Sequence, residues 1–334
     1  MSAKNKWGKG GSLWINPVLD KEFRLRMRTP RSFFAILGYV LVLGLLAIGF
    51  IYVTTISTSQ GMQSGVRFDP STSRMLFYVL SIAQLVLIAF MTPALTAGVI
   101  SGEREKQTLN ILLTTQQTSS AIIFSKLISS LAFMVLVVLA TLPVYSIVFL
   151  YGGISPSQLM LVFLFYLFTM LLLGALGIMC STMFKRTIVA VIMTYGMALF
   201  IFVVTGVAYL MSMAVVQRTY YSSVTPPDYS WVGFILGLNP VGAMVSIFEP
   251  NISKEAFLVS SANLQNQAPI SLWLEFILVY TVVIALALWV AIRRIRPVGR
   301  RRERNESMAQ GQLEGGGEVA EMKPSDMTKV KEEK

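Results

Sequence analysis

The sequence predicts an all-α integral membrane protein with six transmembrane helices and both termini in the cytoplasm. Three observations carry this expectation. Six apolar runs, about 33–53, 75–100, 127–151, 159–184, 187–213 and 270–292, interrupt the chain. Each reaches the roughly 20 residues needed to cross a hydrocarbon core about 30 Å thick. With no water there to satisfy backbone groups, each run should be a helix. Finally, 24 of the 28 Lys and Arg residues fall in the two termini and in every second gap between runs, and only Arg67, Arg74, Arg218 and Lys254 fall elsewhere. The basic side of a membrane protein is the cytoplasmic side.

Residues 1–32 form a cytoplasmic segment containing a short helix. Asn16 is suited to its N-cap and Pro17 to its first helical position. Leu19, Phe23 and Met27 recur every four residues on one face, with Asp20, Lys21, Glu22, Arg24 and Arg28 elsewhere. The pairs Asp20–Arg24 and Glu22–Arg26 have the favourable i,i+4 order, acid first. Thr29-Pro30 ends the helix. Such an amphipathic helix lies on the inner membrane surface, either as a lipid anchor alone or against a partner.

The loop between the second and third runs is the most patterned cytoplasmic segment. Glu103, Arg104, Glu105 and Lys106 form a charge cluster, followed by Thr108 and by Leu109, Leu112 and Leu113 at i, i+3, i+4. Acids at its start suit the positive end of a helix dipole. An amphipathic helix of this length either inserts its leucines into a partner's groove or packs them within its own chain. Lys126, at the head of the third run, lies close enough to the interface for its amine to snorkel.

The spans themselves are poor in chemistry. Runs one to five contain no Asp or Glu, and Glu275 in the sixth is expected as an interfacial, solvated carboxylate. Gly38, Gly44, Gly174 and Gly177 permit close helix packing without forming the G-x-x-x-G spacing. Gln84 and Pro93 in the second run mark either a polar, kinked pathway helix or ordinary helix packing. A further apolar stretch, 231–248, is broken by Gly237, Asn239 and Pro240. A seventh crossing there would carry the arginines of the C-terminal tail outside, so a re-entrant hairpin on the outer side is expected instead. Asn251-Ile252-Ser253 fits an outward glycosylation pattern. After the sixth run, Arg293, Arg294, Arg296, Arg300, Arg301 and Arg302 form a basic cluster facing anionic lipid, and 297–334 reads as a disordered charged tail. The six-span domain is thus 33–296.

Composition excludes several classes of function. The chain has no His and a single cysteine, Cys180, so neither histidine catalysis, a cysteine metal cluster nor an internal disulfide is available. Gly8-Lys9-Gly10-Gly11-Ser12 does not fit a phosphate-binding loop, so a nucleotide must be handled by another chain. The formal charge of +11 reflects lipid-facing flanks rather than nucleic-acid binding. A proton- or sodium-coupled pump should carry intramembrane carboxylates, and their scarcity points to an energy source in another subunit.

Three of these features together resemble the membrane-spanning permease subunit of ABC transporters, in the second class of exporter permeases. The helix from Asn16-Pro17 to Arg28 is similar to that family's interface helix, and the segment from Glu103 to Leu113 to its coupling helix, with Lys126 matching a basic residue often found at the head of span three. The layout of six spans with a hairpin before the last also fits, so the resemblance covers about 13–296. One departure is Gln116-Gln117, where the family often has proline. The resemblance implies a cell-membrane permease that forms its substrate pathway as a dimer with a second permease chain, the same or a paralogue. It implies docking on a separate ATP-binding subunit, which would hold ATP and magnesium. The permease itself would have no catalytic residue. A membrane sensor or scaffold using the same ATPase, or an ATP-independent carrier, is the alternative. The few polar groups in the spans lean toward an amphiphilic or hydrophobic cargo.

Overall fold

A computed structural model describes residues 30–59, 70–108, 119–150, 152, 154–220, 230–257 and 269–295. The expected helix with Asn16, Pro17, Leu19, Asp20, Lys21, Glu22, Phe23, Arg24, Met27 and Arg28 lies outside the described residues, as do Leu109, Leu112, Leu113, Arg296, Arg300, Arg301, Arg302 and the tail.

Among the described residues the regular structure is helical, with no strand. Six stretches are long and apolar enough to cross a membrane: Ser32–Thr54, Ser71–Glu105, Ser119–Phe149, Pro156–Met183, Thr187–Thr219 and Leu272–Arg294. In chain order the helices are α1 (Pro30–Ser59), α2 (Pro70–Thr96), α3 (Val99–Glu105), α4 (Ser119–Leu139), α5 (Leu142–Leu150), α6 (Pro156–Met183), α7 (Thr187–Leu199) and α8 (Thr205–Tyr220). A π-helical turn, Phe200–Val204, joins α7 to α8 within span five. Then come α9 (Val232–Gly237), α10 (Pro240–Phe248), α11 (Pro250–Phe257) and α12 (Leu272–Arg294).

α6 is the hub, packed against α12, α2, α7 and α4. Its start is set locally: Pro156 occupies the first turn, and Ser155 and Gln158 form a reciprocal capping box. Its packing is set by small residues. A Cβ at Gly177 would overlap the Thr96 hydroxyl and lie 3.3 Å from the Ala97 nitrogen, and one at Gly174 would lie 3.1 Å from Leu127 and Leu131. The glycines of α1 differ, since Gly38 and Gly44 have nothing within 4 Å of such a Cβ. The most apolar stretch of α6 is 56% buried, against 17% for α1 and 22% for span five. In water the exposed Phe33, Phe34, Ile48, Ile192 and Leu210 would be a liability, whereas beside lipid they are ordinary surface.

Polar groups inside the bundle are mostly paired, as a medium without water requires. Gln84 is fully buried and its amide donates to Thr141 Oγ1 (3.2 Å), where span three breaks between α4 and α5. The Tyr166 hydroxyl donates to the Ser81 carbonyl (3.0 Å) and meets the Tyr145 hydroxyl at 3.3 Å. Gln84 thus serves helix packing. Pro93 lies inside α2, and on the preceding turn the Phe90 carbonyl accepts from the Tyr195 hydroxyl (2.8 Å).

The stretch 231–248 does not form a seventh crossing. It is two short helices, α9 and α10, with the break at Leu238-Asn239. Asn239 caps α10, its Oδ1 accepting from the Val241 N–H (2.8 Å), and Pro240 follows in the first turn. Nine residues of helix rise only about 14 Å, well short of a bilayer core. The Tyr280 hydroxyl donates to the Leu238 carbonyl (2.9 Å), fixing the break against α12.

Candidate functional site

Only the last part of the charged loop's pattern lies outside the described residues, and α3 carries its beginning. α3 is separated from α2 by a turn at Ala97-Gly98, which leaves the first N–H groups of α3 without helical acceptors. Gly98 has no side chain to offer them. Ser181, at the end of α6, does so from 80 residues away: its Oγ accepts from the N–H groups of both Ile100 and Ser101, at 2.9 Å each.

The favour is returned at the opposite end of α3. The Arg104 guanidinium donates to the carbonyls of Thr182 (3.4 Å) and Phe184 (3.5 Å), which are among the groups that a helix C-terminus leaves free. Glu105 reaches the start of α7, where the Thr187 N–H donates to Oε1 (2.7 Å) and the Thr187 hydroxyl to Oε2 (2.8 Å). Arg186, the cap residue of α7, makes no side-chain cap bond of its own. Helix α3 and the corner between α6 and α7 therefore cap one another. The approach is close, since a Cβ on Gly98 would lie 3.1 Å from Thr187 Cγ2.

Glu103 faces the other way, towards α4. Its Oε1 lies 2.5 Å from Lys126 Nζ, and the lysine side chain is only 3% exposed. The expectation that Lys126 snorkels is corrected here, because its amine ends on a carboxylate inside the bundle. Glu103 Oε2 is buried with no hydrogen-bond partner among the described residues. Lys106 and Thr108 are exposed. The Thr108 hydroxyl donates to the Glu103 carbonyl (3.2 Å), and Gln107 ends α3 in the left-handed region at φ 58°.

These contacts gather the ends of several spans at one end of the bundle. Ser119, at the start of α4, adds a bond from its hydroxyl to the Ile295 carbonyl beyond α12 (2.8 Å). Close by, the exposed Arg293 stacks over the Trp289 ring at 3.9 Å, and Arg294 is also exposed. Both arginines complement the C-terminal dipole of α12.

Gly237, Asn239 and Pro240 are brought together at the other end of α12. A Cβ on Gly237 would overlap the Glu275 carboxyl. Glu275 is 8% exposed and its Oε2 is unpartnered among the described residues, so the expected solvated carboxylate is corrected to a buried one. Asn239 Nδ2 donates to the Phe202 carbonyl (2.8 Å) and to Thr205 Oγ1 (3.0 Å), tying the hairpin to the π-helical turn. In the nearby sequon Asn251 is exposed, but Ser253 is buried and its hydroxyl accepts from the Leu272 N–H at 3.5 Å.

Sequence reasoning missed Ser181, Thr182 and Thr187 at this site. The signal that was available is the position of Thr187 directly after Lys185-Arg186, at the start of a span. Nothing local marks its partner.

Among the described residues no cluster of His, Cys, Asp or Glu has the makings of a metal site, and the apolar cavities lie along the spans. No curated protein matches this chain. A model of the ABC-2 family transporter protein matches residues 16–292, from ahead of the first span into the last turns of the sixth, so the chain belongs to that family and is a multi-pass ABC transporter permease, a transport subunit rather than a catalytic one.

Proposed function

We propose that this permease is an exporter of the cell membrane that forms its pathway as a dimer with a second permease chain, identical or paralogous. Each copy docks on a separate ATP-binding subunit, which holds ATP and magnesium. The dock is the loop from Glu103 to Leu113, with Leu109, Leu112 and Leu113 as the buried apolar anchor. The helix with Asn16 to Arg28 lies alongside it on the inner surface. Closure of the ATPase pair pushes the loop and switches the permease between inward- and outward-facing states.

One observation supports this reading most. The described start of the loop is fastened to span three through Lys126 and to two spans it does not join, through the end of span four and Thr187 on span five. A loop that merely joined two spans would have no need of this. Force applied to the residues after Thr108 therefore reaches the bundle as a whole. The exposed Lys106 stands where a partner's rim can meet it.

The test is purification of the tagged chain from its native membrane in mild detergent. A stoichiometric ATP-binding-cassette protein should co-elute and be lost on Leu109→Asp with Leu112→Asp. Recovery of the chain alone, from complexes first fixed by cross-linking, would refute the dock.

A further inference from the structure

Span five is held at two points by side chains from elsewhere in the chain, one near each end of its first half. At its start Thr187 is bound by Glu105, and thirteen residues of α7 later the π-helical turn is bound by Asn239 of the hairpin. A π turn carries one residue more than the α-helical register, which shifts its hydrogen bonds and leaves a carbonyl in want of a donor. The Asn239 amide donates to the Phe202 carbonyl within that turn.

Between those two points α7 packs along α6, and the Tyr195 hydroxyl ties it to the Phe90 carbonyl of α2 (2.8 Å). Ile188, Ile192 and Met193 are exposed along it, and Ala190 and Thr194 form its buried line. A straight helix of thirteen residues spans about 20 Å and does not compress. Movement of α3 taken up by the α6–α7 corner can therefore be carried along α7 to the hairpin. Two other routes leave α3: Glu103 and Lys126 lead into α4, and Ser181 and Thr182 lead into α6, which also packs against α10.

We infer that Thr187 and Ser181 are positioning residues through which movement of the loop between spans two and three is delivered to span five, and through Asn239 to the hairpin at the opposite end of the bundle. The inference rests on the proposed ATPase dock and adds a direction to it. The mutual capping makes α3 and the corner one body, so the latch stays closed while the loop moves.

The experiment uses the full chain with its ATP-binding subunit in lipid nanodiscs, with and without ATP and vanadate, read by amide hydrogen exchange. In the wild type, trapping should change exchange in 99–108, 187–199 and 232–248 together. Ser181→Ala and Thr187→Val should each reduce the change in 187–199 and 232–248 at least five-fold. Exchange in 99–108 should still respond, and the subunit should remain bound. A disulfide should then rescue the response, formed by Gly98→Cys with Thr187→Cys in a Cys180→Ser chain, in which the Thr187 hydroxyl is already lost. The 3.1 Å from a Cβ at 98 to Thr187 Cγ2 places the two within disulfide reach. Rescue on oxidation, reversed by reduction, excludes a merely damaged fold as the cause of the loss. Variants that respond like the wild type at 187–199 overturn the inference while leaving the dock intact. A wild-type complex with no response at 99–108 overturns the dock itself.

Discussion

Two carboxylates, one at each end of the bundle, have opposite surroundings. Glu103 meets a buried lysine on a neighbouring span, and the charges beside it each find partners across the α6–α7 corner. Glu103 and Glu275 each have one oxygen unpartnered among the described residues, but Glu275 lies against the backbone of Gly237 with no ion pair there. The difference teaches that the two ends are held by different forces. The loop end is a polar joint with specific, directional bonds, and a joint of that kind transmits displacement as a unit. The hairpin end is held by close backbone approach, by the Asn239 amide and by the aromatic packing of Tyr78 on Phe248 at 4.6 Å.

The largest effect that would break this comparison is at the hub. Gly177→Leu forces a side chain into the Thr96 hydroxyl and the Ala97 backbone, and backbone cannot give way as a side-chain tip can. A loss of about 3 kcal/mol or more is expected, visible as a large fall in the thermal midpoint in detergent. An unchanged midpoint would mean that α2 and α6 are not in the contact described.

Next comes Glu103→Gln, which takes the carboxylate from Lys126. Because Glu103 is partly exposed, the loss should fall below that of a fully buried pair, at about 1–3 kcal/mol. Denaturant titration of the purified chain reads it. Stability equal to the wild type would reduce the polar joint to a surface contact.

Asn239→Ala sharpens the account of the hairpin end. It removes the cap of α10 and the two bonds to span five, and about 1–2 kcal/mol should be lost. Exchange in 200–205 should rise with it. Loss of stability without that local rise would separate the cap from the tie.

The smallest effect carries the sharpest contrast. Glu275→Gln keeps the shape and removes a buried carboxylate that has no ion pair among the described residues. Stability should be unchanged or up by about 1 kcal/mol at most, opposite in sign to Glu103→Gln. If both substitutions destabilise alike, the two ends do not differ in the way described.

Much of the architecture was legible because a membrane leaves the backbone few options. Run length gave six candidate helices, whose bounds in the structure differ from the expected ones by a few residues at most ends. Gly237, Asn239 and Pro240 read as a break in the apolar stretch, and the break lies there, with Asn239 capping the second helix. The charged loop stood out through its spacing, though the partners of its charges did not. Glycine spacing was silent on which glycines pack: Gly177 abuts Thr96, while Gly38 has nothing near it.

The class of molecule, the number of apolar helices and the break within 231–248 were therefore legible in the sequence. Those features depend on residues adjacent in the chain and on a solvent that enforces hydrogen bonding within each helix. Only the tertiary structure decided that Lys126 and Glu275 are buried, and that Ser181 caps α3 while Glu105 caps α7. Those pairs lie about 80 residues apart or depend on which faces meet. A cap made by a distant side chain has no local signature, because its donor and acceptor become neighbours only when the helices pack.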